Sequence, residues 1–472
     1  MSQLIEDCLR IIFTEFKNDS NSLYSCMLVN KYWCQIVIPI LWKNPYMLKN
    51  ISHKKLYNTI FNLLPEESKQ FLLNNNIKLP LNTTKKVLST KPLFNYISLS
   101  SKISLEFIDD MIRTLIKKEF EYDKYKKLEQ EIYKLFINNC KVIKDFYWKT
   151  TQPLLEYTGA SNCFSQLYAL TIDLQFVNSS SLFDMAKICQ NIEDLKVWYC
   201  NGDIPGLIML IDVQKNLQSL FIYFMEVEEP CVQLSEVIER KASTIKKFTM
   251  EPFIATLSPK FFPLLINLQH LDLRNMIKMK KEIVGLQEWK NYLSISSFPN
   301  LHCLKTIYLP IRFNCMLIEK SHGSIVEINI SRHSYNRTPL HSEKLIEAIS
   351  KNCPKLEKLT IDVELKNLSG IKDILLNCSQ LKRIRLSLCN EGRLNVCDEL
   401  LEILVKFSPN TLNSFSLNKW KFSVDSLQSF FESWRNRFPI IFDLYFGNFT
   451  EEHKVIIKKY FDEGIIKETN FL

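Results

Sequence analysis

The chain has 472 residues, 46% of them hydrophobic, and 60 basic residues against 51 acidic ones, for a net charge of +9. That mild excess, with no long single-sign run, does not indicate nucleic acid as a partner, and no apolar stretch approaches the roughly 18 residues of a membrane span. Glu6 and Asp7 stand where a secretory signal would carry positive charge, so the expected location is cytoplasmic or nuclear, with the 14 cysteines kept as thiols.

From the start of the chain, Leu9, Ile12, Phe13 and Phe16 recur at helical steps and give one apolar stripe. The polar stretch Lys17 to Asn21 carries turn-forming and capping residues. Helical spacing resumes at Leu23, Cys26, Met27, Val29, Asn30 and Trp33 and runs toward Pro39, whose missing amide is expected to end or kink the helix. Residues 1–45 thus predict a compact helical module. It is too small to bury much surface by itself, so a partner is expected to complete its apolar face.

Residues 46–136 are expected to form a helical linker and an N-terminal cap. Asn74 to Asn76, Pro80 to Lys86 and Lys91-Pro92 are predicted loops. Between Ile116 and Phe136 the charges are dense, yet Leu128, Ile132, Leu135 and Phe136 share one helical face, as in a solvated helix that shields the end of a stack.

One short phrase then recurs: an aliphatic residue, two variable positions, an apolar residue, one variable position and another apolar residue. It occurs at Ile143/Phe146/Trp148, Leu167/Leu170/Ile172, Ile192/Leu195/Val197, Leu217/Leu220/Ile222, Ile245/Phe248/Met250 and Leu268/Leu271/Leu273. It continues at Leu304/Ile307/Leu309, Ile325/Ile328/Ile330, Leu356/Leu359/Ile361, Leu381/Ile384/Leu386, Leu412/Phe415/Leu417 and Ile441/Leu444/Phe446. The last two apolar positions lie two apart and so point to one face of a short strand. Helix-like spacing such as Leu182, Met185, Ala186 and Ile188 separates the phrases. Spacings near 25 residues are close to those of a leucine-rich repeat. A single unit cannot bury its own apolar face, so residues 137–448 are expected to stack into a curved α/β solenoid, strands on the concave face and helices outside. Residues 449–472, with Val455, Ile456, Tyr460 and Phe461 at helical spacing, are expected to cap its far end.

The run Leu4 to Leu9, the following Ile12-Phe13, the run Ser25 to Trp33 and the closing Pro39-Ile40-Leu41-Trp42 resemble an F-box. The family opens with Leu-Pro, and this chain has Ile5 at the Pro position. F-box proteins with C-terminal leucine-rich repeats form a large class that includes many divergent fungal members, and the resemblance covers nearly the whole chain. It implies three helices that dock on a Skp-type adaptor and, through it, on a cullin RING ubiquitin ligase. Carried over by position, the adaptor-facing residues are Leu4, Ile5, Leu9, Ile12, Phe13, Leu28, Val29, Trp33, Leu41 and Trp42. Packing within the module is the competing role for several of them, Trp33 above all.

Side chains that alternate with the apolar pairs are expected on the concave face: Asp145, Tyr147, Asp194, Lys196, Trp198, Phe221, Tyr223, His270, Asp272, Arg274, Tyr308, Glu327, Lys358, Asp362, Arg383, Arg385, Asp443 and Tyr445. Trp198, Phe221 and Tyr223 suggest an aromatic protein-binding patch, with His270 and Arg274 at its border. Lys358, Arg383 and Arg385 suggest a basic patch suited to an acidic or phosphorylated client segment. Ordinary strand-surface residues are the alternative in both cases.

Six cysteines at fixed offsets from the phrases, Cys140, Cys189, Cys353, Cys378, Cys200 and Cys389, read as small buried residues. No CxxC or HExxH spacing predicts a metal, and no glycine loop predicts a phosphate ligand, so no cofactor is expected. His302-Cys303 is a poor candidate dyad, because neighbouring strand residues face opposite ways. The expected function is therefore binding without catalysis: a substrate receptor of a Skp-cullin-F-box ligase with a protein client. Open alternatives are a leucine-rich-repeat scaffold whose F-box-like start no longer joins a ligase, and an enzyme with an unrecognised site.

Overall fold

The computed structural model describes residues 6–17, 19–43, 53–80, 94–116, 121–225, 227, 229–275, 286–331, 342–389, 396–446 and 449–471. Two compact units divide the chain, residues 1–199 with 204–217 and residues 200–203 with 218–472.

The first unit opens with α1 (Glu6–Glu15), α2 (Ser20–Met27) and α3 (Lys31–Leu41). Asp19 starts α2 by accepting from the amides of Asn21 and Ser22, each at 3.2 Å. Asn30 starts α3 by accepting from the Trp33 amide at 2.8 Å. Leu9, Phe13, Leu23, Ile36, Val37 and Leu41 form a core of their own among these helices. Pro39 does not end α3: the helix runs on to Leu41, and the Trp42 amide still reaches the Ile38 carbonyl at 2.9 Å. So close to the terminus, a proline removes one hydrogen bond and leaves the last turn in place.

Next come α4 (His53–Leu63), α5 (Glu66–Asn74), β1 (Lys102–Ile103), α6 (Leu105–Leu115) and α7 (Tyr122–Asn139). The helix expected from Ile116 begins at Tyr122, and Ile116 instead caps α6. Its apolar face is the expected one, with Leu128, Ile132, Leu135 and Phe136 buried. The repeats of this unit are β2 (Asp145–Trp148), α8 (Ala160–Phe164), β3 (Ala169–Asp173), α9 (Ser179–Ile188), β4 (Asp194–Cys200) and α10 (Pro205–Asp212). Strands β1 to β4 pair in parallel, with Phe146, Leu170 and Leu195 in register. Gly206 sets the approach of α10 to α9, since a Cβ there would lie 2.1 Å from the Ser179 carbonyl oxygen. Gln214 ties the turn below β4, accepting from the Ile192 amide at 2.8 Å and donating to the carbonyls of Cys189 and Leu210 at 2.9 and 2.7 Å.

The second unit repeats the theme: β5 (Ser219–Phe224), α11 (Val232–Lys241), β6 (Lys247–Glu251), β7 (His270–Arg274), α12 (Leu286–Ile295), β8 (Cys303–Ile307), α13 (Ile311–Glu319), β9 (Glu327–Ser331) and α14 (Ser342–Asn352). It continues through β10 (Lys358–Val363), α15 (Leu368–Asn377), β11 (Arg383–Leu388), α16 (Asp398–Phe407), β12 (Ser414–Asn418), α17 (Val424–Trp434), β13 (Ile440–Tyr445), α18 (Glu451–Asp462) and β14 (Ile466–Glu468). Each strand pairs in parallel with the next in the chain. This is an α/β repeat of leucine-rich-repeat type.

One buried row crosses the second unit as Leu220, Phe248, Leu271, Leu304, Ile328, Leu359, Ile384, Phe415 and Phe442. The row corrects two phrases. At β8 the buried pair is Leu304 and Thr306, preceded by Leu301, and Ile307 faces the other way. Thr306 tolerates this burial because its hydroxyl donates to Asn314 Oδ1 at 2.8 Å. At β13 the buried pair is Phe442 and Leu444, while Phe446 is 86% exposed. Pro439 occupies the first position there, so the aliphatic residue that would have marked the register is missing.

Smaller corrections follow the same physics. Asp362, expected on the polar face, is buried, and Cys389, expected to be buried, is half-exposed. Helix α18 buries His453, Ile457 and Tyr460 instead of Val455 and Phe461. His453 is drawn inward by the Thr450 amide at 3.1 Å from its Nδ1 and by the Phe422 carbonyl 3.0 Å from its Nε2.

Candidate functional site

In the helical module, the structure sorts the ten residues that the F-box resemblance points to. Leu4 and Ile5 lie outside the described residues. Leu9, Phe13 and Leu41 belong to the module's core, with Leu9 only 3% and Phe13 1% exposed. Trp33 is half-buried and packs edge-on to Phe13, ring centroids 5.0 Å apart. Trp42 stacks on Tyr96 at 4.5 Å, and the Ser101 amide donates to the Lys43 carbonyl at 3.1 Å, which fastens the end of α3 to the chain that follows. Ile12 (43% exposed), Leu28 (67%) and Val29 (58%) remain in solvent. Leu28 and Val29 are pushed outward because Leu28 caps α2 and Asn30 already caps α3, leaving a two-residue turn. Ile11, 66% exposed, escaped the sequence reading; the signal was an isoleucine off the Leu9 and Phe13 stripe.

The strand faces hold the eight residues expected to meet a client. Trp198, on β4 in the first unit, is half-buried with its ring 6.4 Å from that of Tyr199. In the second unit Phe221 and Tyr223 are half-buried on one face of β5. His270 and Arg274 stand on β7, and Lys358 on β10 is the direct register partner of Arg383 on β11, with Arg385 two residues further.

Charge on this second face is largely cancelled from β6 to β10. Arg274 lies 3.0 Å from Glu251 and 2.9 Å from Asp272, and its pKa is raised, chiefly by the hydrogen bond to Asp272. Glu327 accepts from Lys305 at 3.0 Å and from Lys358 at 3.4 Å. Partial burial works to raise the Glu327 pKa, but these two ammonium groups bring it below the usual carboxylate value. Lys305 is shifted up by the same hydrogen bond. His270 is shifted down, first by partial burial and then by Lys247, His302 and Lys305. Lys305 was hidden from the sequence reading by the mistaken register at β8.

Beyond β10 the balance changes. Arg383 and Arg385 are exposed, and among the described residues neither has an ion-pair partner. The Arg385 guanidinium lies 5.7 Å from the Tyr445 ring centroid.

Known proteins add little beyond this geometry. No family model matches the sequence, and no curated protein matches it. Among solved structures, similarity is found to TLR13 in a TLR13–ssRNA13 complex, at 15% identity and a TM-score of 0.36. That match covers 68% of this chain and 41% of the other, so this chain spans about two-fifths of that protein's length.

Among the described residues no group of three or more His, Cys, Asp or Glu side chains is arranged to hold a metal, and no helix is long and apolar enough to cross a membrane. Cys303 is buried while His302 is exposed, and burial pushes the Cys303 thiol up to about 11, against a nucleophilic role.

Proposed function

We propose that the chain is a substrate-receptor subunit of a Skp-cullin-F-box ubiquitin ligase, acting in the cytoplasm or nucleus. The three N-terminal helices dock on a Skp-type adaptor, the strand face of the repeats binds a protein client, and the ligase supplies the chemistry. One observation carries the reading. A helical module with its own buried core leaves Ile11, Ile12, Leu28 and Val29 in water, and aliphatic groups so exposed on a small module fit a partner better than solvent.

The test is a pull-down of a Skp-type adaptor by the full chain and by an Ile12→Asp/Leu28→Asp variant. Both sites are exposed, so the variant keeps the core. The reading expects capture by the wild type and loss of capture by the variant. No capture by the wild type would favour a repeat scaffold that does not join a ligase, a reading to which Ile5 at the family's Pro position gives specific support.

A further inference from the structure

On the strand face of the second unit, Arg383 and Arg385 are adjacent cations with no ion-pair partner among the described residues, and their spacing favours a particular anion. Arg383 and Arg385 project from alternate positions of β11, roughly 7 Å apart along the strand. The neighbouring strand β12 presents only Ser414 and Ser416 in the matching rows, both nearly buried. On the far side β13 places Ile441, Asp443 and Tyr445 in register with Ser414, Ser416 and Asn418. The Arg385 guanidinium reaches across β12 to the Tyr445 ring, 5.7 Å from its centroid, so the serines lie covered and the two arginines stand as an exposed cationic strip. Asp443 on β13 is engaged by the Asn470 amide at 3.0 Å and the Ser416 hydroxyl at 3.5 Å. Lys358, which would have made a third cation, is held by Glu327.

We propose that this arginine strip binds an extended acidic peptide with aspartate or glutamate at alternate positions, each carboxylate meeting one guanidinium. The assignment rests on the reading that the strand face is the client surface, and it names the client's chemistry. Two guanidinium groups on i and i+2 match the repeat of an extended segment, whose alternate side chains also fall roughly 7 Å apart. A singly phosphorylated segment offers one anionic group, which one bidentate arginine satisfies, whereas alternate carboxylates engage both guanidinium groups.

The test is a fluorescence anisotropy titration of the full chain with a labelled synthetic peptide bearing aspartate at every second position. Its asparagine counterpart and a singly phosphorylated serine peptide of equal length are titrated beside it. The account expects the alternating acidic peptide to bind tightest. Arg383→Glu/Arg385→Glu should weaken it about tenfold or more, since each pair is a charge-assisted hydrogen bond, and Lys344→Glu, at an exposed position of helix α14, should leave affinity unchanged. Circular dichroism of each variant should match the wild type. No binding, binding indifferent to the double reversal, or tighter binding of the phosphopeptide would overturn the proposal. Adaptor capture reads the N-terminal helices alone, so failure here is distinguishable from failure of the ligase reading.

Discussion

Lys358 and Glu327 sit 3.4 Å apart on adjacent parallel strands, and the same carboxylate holds Lys305 at 3.0 Å from its other oxygen. One glutamate thus pairs with cations on the strands at either side of it and leaves a net charge of about +1 there, whereas Arg383 and Arg385 on β11 have no carboxylate partner among the described residues.

That arrangement predicts an acid-sensitive contribution to stability. The folded pKa of Glu327 is below its ordinary 4.5, so its stabilisation is fully present above pH 4.5 and is lost as pH falls through the lowered folded value. Urea midpoints measured from pH 7 down to pH 3 should separate wild type from Glu327→Gln at neutral pH and converge in acid. A constant separation would contradict the linkage.

Register at β13 can be checked by truncation. Phe442→Ala removes a ring packed against Phe430 and Phe431, with centroids at 5.5 and 5.0 Å, and should destabilise by about 3 to 5 kcal/mol. Phe446→Ala touches an exposed ring and should change stability by no more than about 0.5 kcal/mol. Chemical denaturation of the two variants would reverse that order if the phrase ending at Phe446 set the register.

The junction after α3 gives a third prediction. Trp42 and Tyr96 stack at 4.5 Å, and a double-mutant cycle with leucine at both sites should return a coupling of about 0.5 to 1.5 kcal/mol. Coupling near zero would mean that the contact does not hold the helical module to the chain that follows.

Thiol chemistry offers a fourth. Burial pushes Cys189 and Cys378 each up to about 12, while Cys8 is exposed on α1. Alkylation at pH 8 followed by peptide mass mapping should therefore mark Cys8 long before either buried thiol. Equal rates would show that the repeats open readily.

Much of the repeat fold was legible because strand side chains alternate, and a pair such as Leu195 and Val197 declares its face without help from distant residues. The errors arose where a polar or irregular residue took a repeat position. Thr306 is buried only because Asn314 satisfies its hydroxyl, and that partnership is tertiary. Asp362 and Cys389 follow the core pairs, where simple alternation stops holding: Ile361, Asp362 and Val363 are all buried in succession. In the helical module the stripe of Leu9 and Phe13 was readable as apolar, but periodicity cannot say whether a partner or the neighbouring helix covers a stripe. Packing places both inside. The basic pair on β11 was visible in the sequence, whereas the pairing of Lys358 required the register that sets Glu327 beside it.

The central claim is that α1 to α3 form the docking head for a Skp-type adaptor. Hydrogen exchange of the full chain, measured with and without that adaptor, tests it most directly. The account predicts slowed exchange confined to residues 6–42, strongest around Ile11, Ile12, Leu28 and Val29. Unchanged exchange there, or protection confined to the strand face of the second unit, would contradict it.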